Sequence, residues 1–260
     1  MKERIITALC LMAVVIPAVI FGGIFYKIVI GVVMGISVYE MLHICSRPKI
    51  NLYLYVITAL FFAAGFILDK TNLLLSSYLI FIYLAVVCAC MIFDDTLNIE
   101  RAAYIFTAGS LICGGIHALL VLRIEYGWQY LLLLAIATYG SDTGAYFAGM
   151  MFGKHKLIPR LSPKKTIEGS IGGIILGSVM GIAFAHFAGI LNGQWPLVIS
   201  IIVMTMTSQI GDLIFSAIKR YFEVKDYSHL LPGHGGILDR IDSLTYNALI
   251  FSFFLIIARL

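Results

Sequence analysis

The sequence predicts an all-α, polytopic integral membrane protein with about nine transmembrane helices and a cytoplasmic N-terminus. Hydrophobic residues make up 61% of the 260 residues and charged residues only 12%, whereas soluble domains carry roughly 25% charged residues. The apolar stretches are continuous and about 20 residues long, the length that an α-helix needs to cross a bilayer. A membrane β-barrel would instead show stretches of about 10 residues with alternating polarity.

Nine stretches meet this length requirement, at roughly 5–24, 28–45, 52–68, 72–93, 102–122, 128–152, 168–191, 195–218 and 243–258. Lys and Arg favour the cytoplasmic side of membrane proteins. With the N-terminus inside, 14 of the 18 Lys and Arg residues fall on inner segments and 4 on outer ones. The net charge of +4 is therefore explained by topology, and we expect no nucleic acid partner. The protein is expected in the cell inner (cytoplasmic) membrane.

The two halves of the chain differ in character. Residues 1–127 contain mostly short loops and apolar helices without a specific motif, whereas 128–260 contain two long inner loops, 153–167 and 219–242, rich in charge, Gly and Pro. We predict that the second half is the catalytic transmembrane region.

Three carboxylates fall well inside predicted spans, away from their ends: Glu40, Asp142 and Asp212. An ionisable group at membrane depth costs at least about 2.5 kcal/mol, so each is a candidate for function. Glu40 stands alone in its span, and we expect either a pairing with the polar cluster or no functional role.

The span around Asp212 has one polar face. Ser208, Asp212, Ser216 and Lys219 are spaced by four, four and three residues, which places them on one side of a helix. This face must contact water, a ligand or another polar helix, because lipid would leave it unsatisfied. A polar clamp between helices remains the alternative.

The second inner loop combines cations, carboxylates and glycines. Gly235 and Gly236 can bring backbone N–H groups close to an anion. Asp239 and Asp242 are three residues apart and can face one site. Carboxylates without a Cys–His set favour Mg²⁺, which is commonly completed by phosphate oxygens. A basic loop that touches lipid headgroups would explain the charge but not the carboxylates.

The first inner loop carries Lys164 and Lys165 just before a glycine-rich helix. This arrangement is typical of an anion site at a helix N-terminus, with positive-inside anchoring as the alternative. Glycines recur every four residues in that helix, at Gly169, Gly173, Gly177 and Gly181. We interpret them as a face for close packing, against either the catalytic helices or a second subunit of a homodimer.

Residues 216–242 resemble the signature of phosphatidate cytidylyltransferases, also called CDP-diacylglycerol synthases. The matching positions are Ser216, Ile218, Lys219, Arg220, Lys225, Asp226, Pro232, His234, Gly235, Gly236, Asp239, Arg240 and Asp242. The segment Ser141–Tyr146 and the run from Ser162 to Gly169 also resemble the family. The resemblance covers roughly residues 138–245.

The resemblance implies that phosphatidic acid attacks the α-phosphate of CTP, giving CDP-diacylglycerol and pyrophosphate. Mg²⁺ is the expected cofactor, with a second, monovalent cation left open, and membrane lipids are the surroundings. Asp212 and Asp239 would hold the metal, with Asp142 and Asp242 in a second cation site or in support. Lys219, Lys225 and Arg240 would bind phosphates of CTP or the lipid, and Lys164 and Lys165 would guide or clamp one of the two phosphate-bearing substrates. The triphosphate pocket would be shaped by His234, Gly235 and Gly236, and the other expected substrate-binding residues are Ser216 and Arg220.

Two other classes are compatible with the same residues. A different Mg²⁺-dependent lipid phosphotransferase or a polyprenol kinase would also place Asp and Lys on an inner face. A transporter would place ionisable residues near the midplane, often in repeated halves, but this chain shows no internal repeat.

Overall fold

The computed structural model describes residues 2–46, 50–68, 71–191, 193–233 and 235–258. Within these ranges the chain forms nine α-helices: α1 (Lys2–Phe21), α2 (Gly23–Ile44), α3 (Leu52–Leu68), α4 (Ser77–Phe93), α5 (Ile99–Val121), α6 (Trp128–Phe152), α7 (Ile167–Phe187), α8 (Trp195–Tyr221) and α9 (Leu238–Ala258). A π-helical turn, Leu122–Tyr126, follows α5, and two short strands, β1 (Lys156–Ile158) and β2 (Ser162–Thr166), separate α6 from α7. Each predicted span overlaps one helix.

The predicted fold class is confirmed as a multi-pass α-helical membrane protein. In the described part of the chain, five helices are long and apolar enough to cross a bilayer: Gly23–Ile44, Ile99–Tyr126, Ile167–Phe187, Trp195–Tyr221 and Leu238–Ala258. Three shorter apolar helices, Leu9–Phe21, Leu52–Leu68 and Ser77–Phe93, accompany them. Helix α6 is long enough but less apolar, because a polar run around Asp142 interrupts it.

The loop 153–167 was predicted to be irregular, and this prediction is wrong in part. Residues 156–166 form an antiparallel hairpin in which Lys156 faces Thr166 and Ile158 faces Ser162. A two-stranded hairpin is marginally stable alone. The Glu168 carboxylate holds its base, since it accepts hydrogen bonds from Lys154 N (3.1 Å) and from His155 Nδ1 (2.6 Å).

The loop 219–242 is shorter than predicted. Helix α8 continues to Tyr221 and α9 already begins at Leu238, so the irregular connection runs over 222–237. Asp239, Arg240 and Asp242 consequently lie on the first turns of α9. The sequence prediction ended α8 too early and began α9 too late because charged residues are uncommon in spans, whereas here charges line a polar cavity at the helix ends.

Helix α5 occupies the centre of the bundle and is buried along most of its length. It packs against α2, α4 and α9, and thereby joins the N-terminal helices to the second half of the chain. Helix α8 packs against α6, α7 and α9. The division into residues 1–127 and 128–260 stays a prediction. The contact of α5 with α9 joins the two parts.

The glycine face of α7 is confirmed as a packing surface. All four glycines are buried, and α6 and α7 form the most extensive helix pair. A Cβ atom on Gly173 would lie 2.6 Å from the Ser141 carbonyl oxygen, and one on Gly177 would lie 2.8 Å from the Ser141 nitrogen. Only glycine permits this approach. The face is used within one subunit and therefore does not support the predicted homodimer.

Candidate active site

Four helix ends and the hairpin enclose a polar cavity of about 610 Å³. The walls are the second half of α6, the β1–β2 hairpin, the start of α7, the end of α8 and the start of α9. Five carboxylates line it, namely Asp142, Asp212, Asp226, Asp239 and Asp242, together with four basic side chains, namely Lys164, Lys165, Lys219 and Arg240. Because α6 to α9 alternate in direction, residues that are distant in sequence meet at one end of the bundle.

Lys219 and Asp239 form a buried ion pair at this end. Lys219 Nζ lies 2.7 Å from Asp239 Oδ1, and the two side chains are only 10% and 3% exposed. The other carboxylate oxygen of Asp239 accepts backbone hydrogen bonds from Tyr227 N (2.8 Å) and Gly236 N (2.9 Å). A buried charge is tolerated only when it is paired and hydrogen-bonded in this way. The pair therefore fixes the loop 222–237 to both helices.

The ring of Tyr227 lies beside this pair, with Lys219 Nζ 5.5 Å from the ring centroid. Burial, followed by the neighbouring Asp239 charge, raises the pKa of Tyr227 well above its ordinary value. Tyr227 consequently remains a neutral phenol and does not add negative charge to the site.

A second ion pair connects the hairpin to α8. Lys165 Nζ contacts Asp212 Oδ2, and both side chains are about a quarter to a third exposed in the cavity. The contact brings the first predicted inner loop onto the polar face of α8. Lys164, the next residue along the hairpin, is exposed and also lines the cavity.

Asp142 and Asp242 complete the acidic wall. Both line the cavity, and their charges repel each other and that of Asp212. Asp242 Oδ1 accepts a hydrogen bond from Ser243 N at 2.7 Å. The charge of Lys165 favours the ionised form of Asp142, and the charge of Lys219 favours that of Asp242. Three mutually repelling carboxylates in one cavity form a set of hard oxygen donors that a divalent cation stabilises.

A layer of neutral polar side chains supports the floor of the cavity. Gln209 Nε2 donates to Ser141 Oγ (3.2 Å) and to the Ser170 carbonyl (3.0 Å), while Ser170 Oγ donates back to Gln209 Oε1. Ser141 Oγ in turn donates to the Thr205 carbonyl at 2.9 Å. These bonds join α6, α7 and α8, so the polar face of α8 is a helix clamp below Asp212 and a cavity wall at Asp212.

Comparison with known proteins identifies the family to which the chain belongs. The sequence profile of the Cytidylyltransferase family matches residues 2–258, nearly the entire chain. The chain belongs to the cytidylyltransferase family. A protein named phosphatidate cytidylyltransferase from Bacillus subtilis is 30% identical over 259 residues, covering 95% of this chain and 94% of the relative. Proteins of the same name from Staphylococcus saprophyticus and Staphylococcus aureus are 32% and 31% identical, with 95% of each chain covered.

In this member of the cytidylyltransferase family, several expected site residues do not line the cavity. Ser216 is half-buried on α8 outside the cavity lining, and Lys225 is exposed on the loop 222–237. Arg220 is exposed and donates to the Val224 carbonyl at 3.0 Å, which stabilises the end of α8. His234 lies outside the described residues.

The glycine pair brings a backbone N–H group to an anion, as predicted, but the anion belongs to the protein. Gly236 N donates to a carboxylate of the protein itself, Asp239. A Cβ atom on Gly236 would lie 2.6 Å from Glu40 Oε1, and one on Gly235, where φ is +82°, would lie 2.9 Å from Asp239 Oδ2. The two glycines thus permit carboxylates of the protein to approach the backbone, and neither lines the cavity.

Sequence reasoning missed the cavity contributions of Gln209, Ser170 and Asp226. Gln209 lies three residues before Asp212 on the same helix face, a signal that was available. Asp226 belongs to the family signature but was given no role. The partner of Glu40, in contrast, is set by the packing of α2 near α9 and had no local signal.

The carboxylates of the cavity suit Mg²⁺ but would supply only some of its ligands. Among residues 2–46, 50–68, 71–191, 193–233 and 235–258, no group of three His, Cys, Asp or Glu side chains is arranged to hold a metal alone. Mg²⁺ commonly binds through one or two carboxylates, with phosphate oxygens and waters as the other ligands. Asp212 is the better placed of the two predicted ligands. It is paired with Lys165 but 30% exposed, whereas Asp239 is 3% exposed and is held by Lys219 and two backbone N–H groups.

Proposed function

We propose that this chain is a phosphatidate cytidylyltransferase that makes CDP-diacylglycerol and pyrophosphate from CTP and phosphatidic acid. The observation that carries the proposal is the polar cavity, in which carboxylates and basic side chains face each other at the ends of four membrane helices. Relatives over nearly the full chain carry this enzyme name. A site at helix ends suits one water-soluble substrate and one lipid substrate.

The proposed reaction requires the protein to position the two substrates and to neutralise their charge. A phosphate oxygen of phosphatidic acid attacks the α-phosphorus of CTP, and the bond from that phosphorus to the oxygen of the leaving pyrophosphate breaks. The attacking phosphate is already ionised at neutral pH, so no general base is required. Two polyanions repel each other strongly in a cavity of low dielectric constant. Lys164, Lys165 and Arg240 line the cavity, and we propose that they neutralise the phosphates.

We propose Mg²⁺ as the cofactor, held through Asp212 and completed by phosphate oxygens. When bound, Mg²⁺ would neutralise charge on the triphosphate and orient it for transfer. Asp142 and Asp242, which also line the cavity, are proposed to support this cation or a monovalent one. A metal role for Asp239 requires the bond from Lys219 to be exchanged first.

We also propose the orientation and location. Nine membrane crossings with an inner N-terminus account for the distribution of Lys and Arg. The same orientation places the cavity and the exposed hairpin cations Lys154, Lys156 and Arg160 on the cytoplasmic face, where CTP is available. The protein would act in the cytoplasmic membrane of the cell.

A labelling experiment tests the proposed reaction. Purified protein in detergent is incubated with Mg²⁺, phosphatidic acid and CTP labelled at the α-phosphate, and label in the lipid phase is measured. We expect label in lipid only when Mg²⁺ and phosphatidic acid are both present. Transfer from γ-labelled ATP or CTP to a lipid alcohol, with none to phosphatidic acid, would identify a lipid kinase instead.

A matched pair of variants tests the metal ligand. Asp212→Asn should lower turnover by roughly 100-fold or more. Losing one charge-stabilising group in a phosphoryl-transfer site has an effect of about this size. Asp95→Asn removes an exposed carboxylate outside the cavity lining and should retain turnover. An Asp212→Asn enzyme with wild-type turnover would remove Asp212 from the metal site.

A further inference from the structure

Glu40, in the N-terminal half of the chain, is completely buried (0% exposed). Its carboxylate accepts three hydrogen bonds from the segment that leads into α9. Ser228 Oγ donates to Oε1 at 2.6 Å, Ile237 N donates to Oε1 at 2.9 Å, and Leu238 N donates to Oε2 at 2.8 Å. Each of these donors is nearly 200 residues away in sequence.

The location of these bonds explains why a carboxylate is used. The first N–H groups of a helix have no partner within the helix, and the helix dipole makes that end positive. Glu40 supplies both the acceptor oxygens and the negative charge for α9 from a different helix. It therefore acts as the N-terminal cap of α9.

The capped turn is the turn that builds the cavity. Asp239 follows Leu238 directly. Its carboxylate accepts a hydrogen bond from Gly236 N and forms the ion pair with Lys219. Gly236 can occupy its position only without a side chain, since a Cβ atom there would lie 2.6 Å from Glu40 Oε1. Glu40 and Asp239 thus both bind the backbone of 236–238.

We propose that Glu40 is a positioning residue for the active site, which sets the start of α9 so that Asp239 holds Lys219 toward the cavity. Glu40 does not line the cavity and is not expected to touch substrate. The effect on catalysis rests on the proposed function, whereas the effect on the backbone of 228–238 does not.

The main test variant is Glu40→Gln, which preserves shape and leaves one oxygen acceptor. The amide NH₂ group must then face a backbone N–H donor, so one of the three bonds is lost. A displacement of about 1 Å at a reacting centre can cost roughly 100-fold in rate. We expect kcat to fall at least about tenfold per folded molecule, with a smaller change in the KM for phosphatidic acid. Amide hydrogen exchange in 228–238 should accelerate.

Two further variants keep the proposal open to refutation if Glu40→Gln folds poorly. Ser228→Ala removes one donor and leaves the charge on Glu40 in place, so the same changes are expected at smaller size. Tyr104→Phe is the matched control, because it removes a hydrogen bond to the next residue of α2, the Met41 carbonyl at 2.9 Å. It should lower thermal stability without changing kcat.

The outcomes separate the two proposals. If wild-type protein transfers no label to lipid, the proposed function fails, while hydrogen exchange still reports on Glu40. If wild-type protein is active and both Glu40→Gln and Ser228→Ala have unchanged kcat and unchanged exchange in 228–238, Glu40 is not a positioning residue. Lower stability with unchanged kcat would make it a purely structural cap and would also overturn the proposal.

Discussion

Lys219 on the last turn of α8 and Asp239 on the first turn of α9 are joined by a 2.7 Å ion pair that is almost fully buried. The pair unites two residues that the sequence predicted to act separately, one on phosphate and one on metal. Its burial means that each charge depends on the other. Lys219 Nζ can therefore turn toward another group only if Asp239 gains a different partner for its charge.

Breaking this pair should destabilise the protein as well as inactivate it. Lys219→Met leaves the Asp239 charge buried, which costs about 3 kcal/mol. Adding Asp239→Asn removes that charge and should restore part of the stability but none of the activity. Thermal midpoints in detergent and transfer of label from CTP to lipid provide the measurements. A Lys219→Met protein as stable as wild type would contradict the buried pair.

The second pair, Lys165 with Asp212, should behave in the opposite way. Both side chains are partly exposed, and such pairs contribute at most about 1 kcal/mol to stability. Lys165→Gln should therefore keep nearly the wild-type thermal midpoint but lose roughly 100-fold in turnover, because a cation that faces the substrates is missing. Lys156→Gln, an exposed cation on the same hairpin, is the control with expected wild-type turnover. Equal effects of the two substitutions would exclude a specific role for Lys165.

Close packing of α6 on α7 should depend on Gly177. An added Cβ would lie 2.8 Å from the Ser141 nitrogen and 2.9 Å from the Ala137 oxygen, so the helices must separate. Gly177→Ala should cost about 1–3 kcal/mol and lower turnover, since α6 carries Asp142. Gly35→Ala in α2 meets no atom within 4 Å and should be neutral or stabilising by up to about 1 kcal/mol. The comparison fails if both substitutions have the same effect on the thermal midpoint.

Asp94, at the end of α4, should contribute stability in a pH-dependent manner without taking part in catalysis. Hydrogen bonds from Thr96, then from Tyr53 and Asn51, hold the pKa of Asp94 well below its usual range. Because the pKa is lower in the folded state, the ionised carboxyl group stabilises the protein above the unfolded pKa of about 4. This stabilisation is lost as the pH falls through the pKa of the folded state. Asp94→Asn should thus be less stable at neutral pH, with a difference that shrinks below about pH 4.

Turnover per folded molecule of the Asp94→Asn variant should equal that of wild type, since Asp94 does not line the cavity. Measuring unfolding at neutral and acidic pH separates the two effects. A stability difference that is constant with pH would contradict the hydrogen-bonded carboxylate.

The existence of the helices could be predicted because hydropathy is a local property. Each helix of the fold corresponds to an apolar stretch long enough to be recognised without its neighbours. The helix spacing of Asp212 and Lys219 likewise placed both on one face, and the glycine period predicted a close-packing face on α7, although not that α6 is its partner. The boundaries of α8 and α9 were wrong, because charges at helix ends are indistinguishable from loop charges until a cavity is present to receive them.

The partners of the charged groups could not be predicted in the same way. Lys165 reaches Asp212, Lys219 reaches Asp239, and Gly236 faces Glu40 and Asp239 rather than a ligand. These contacts join residues far apart in sequence and depend on which helices pack together. The hairpin 156–166 is held at its base by the Glu168 carboxylate, a contact that forms only once the chain has folded back on itself.

The sequence by itself determined the membrane class, the approximate helices and the chemical character of the site, because length, hydropathy and residue type are encoded locally. Tertiary structure alone decided which carboxylates remain open in the cavity and which are held by the protein. The physical reason is the cost of burying charge. The carboxylates of Asp239 and Glu40 are almost fully buried and are satisfied by a basic side chain, a hydroxyl group or backbone N–H groups. The side chain of Asp212, in contrast, is 30% exposed in the cavity.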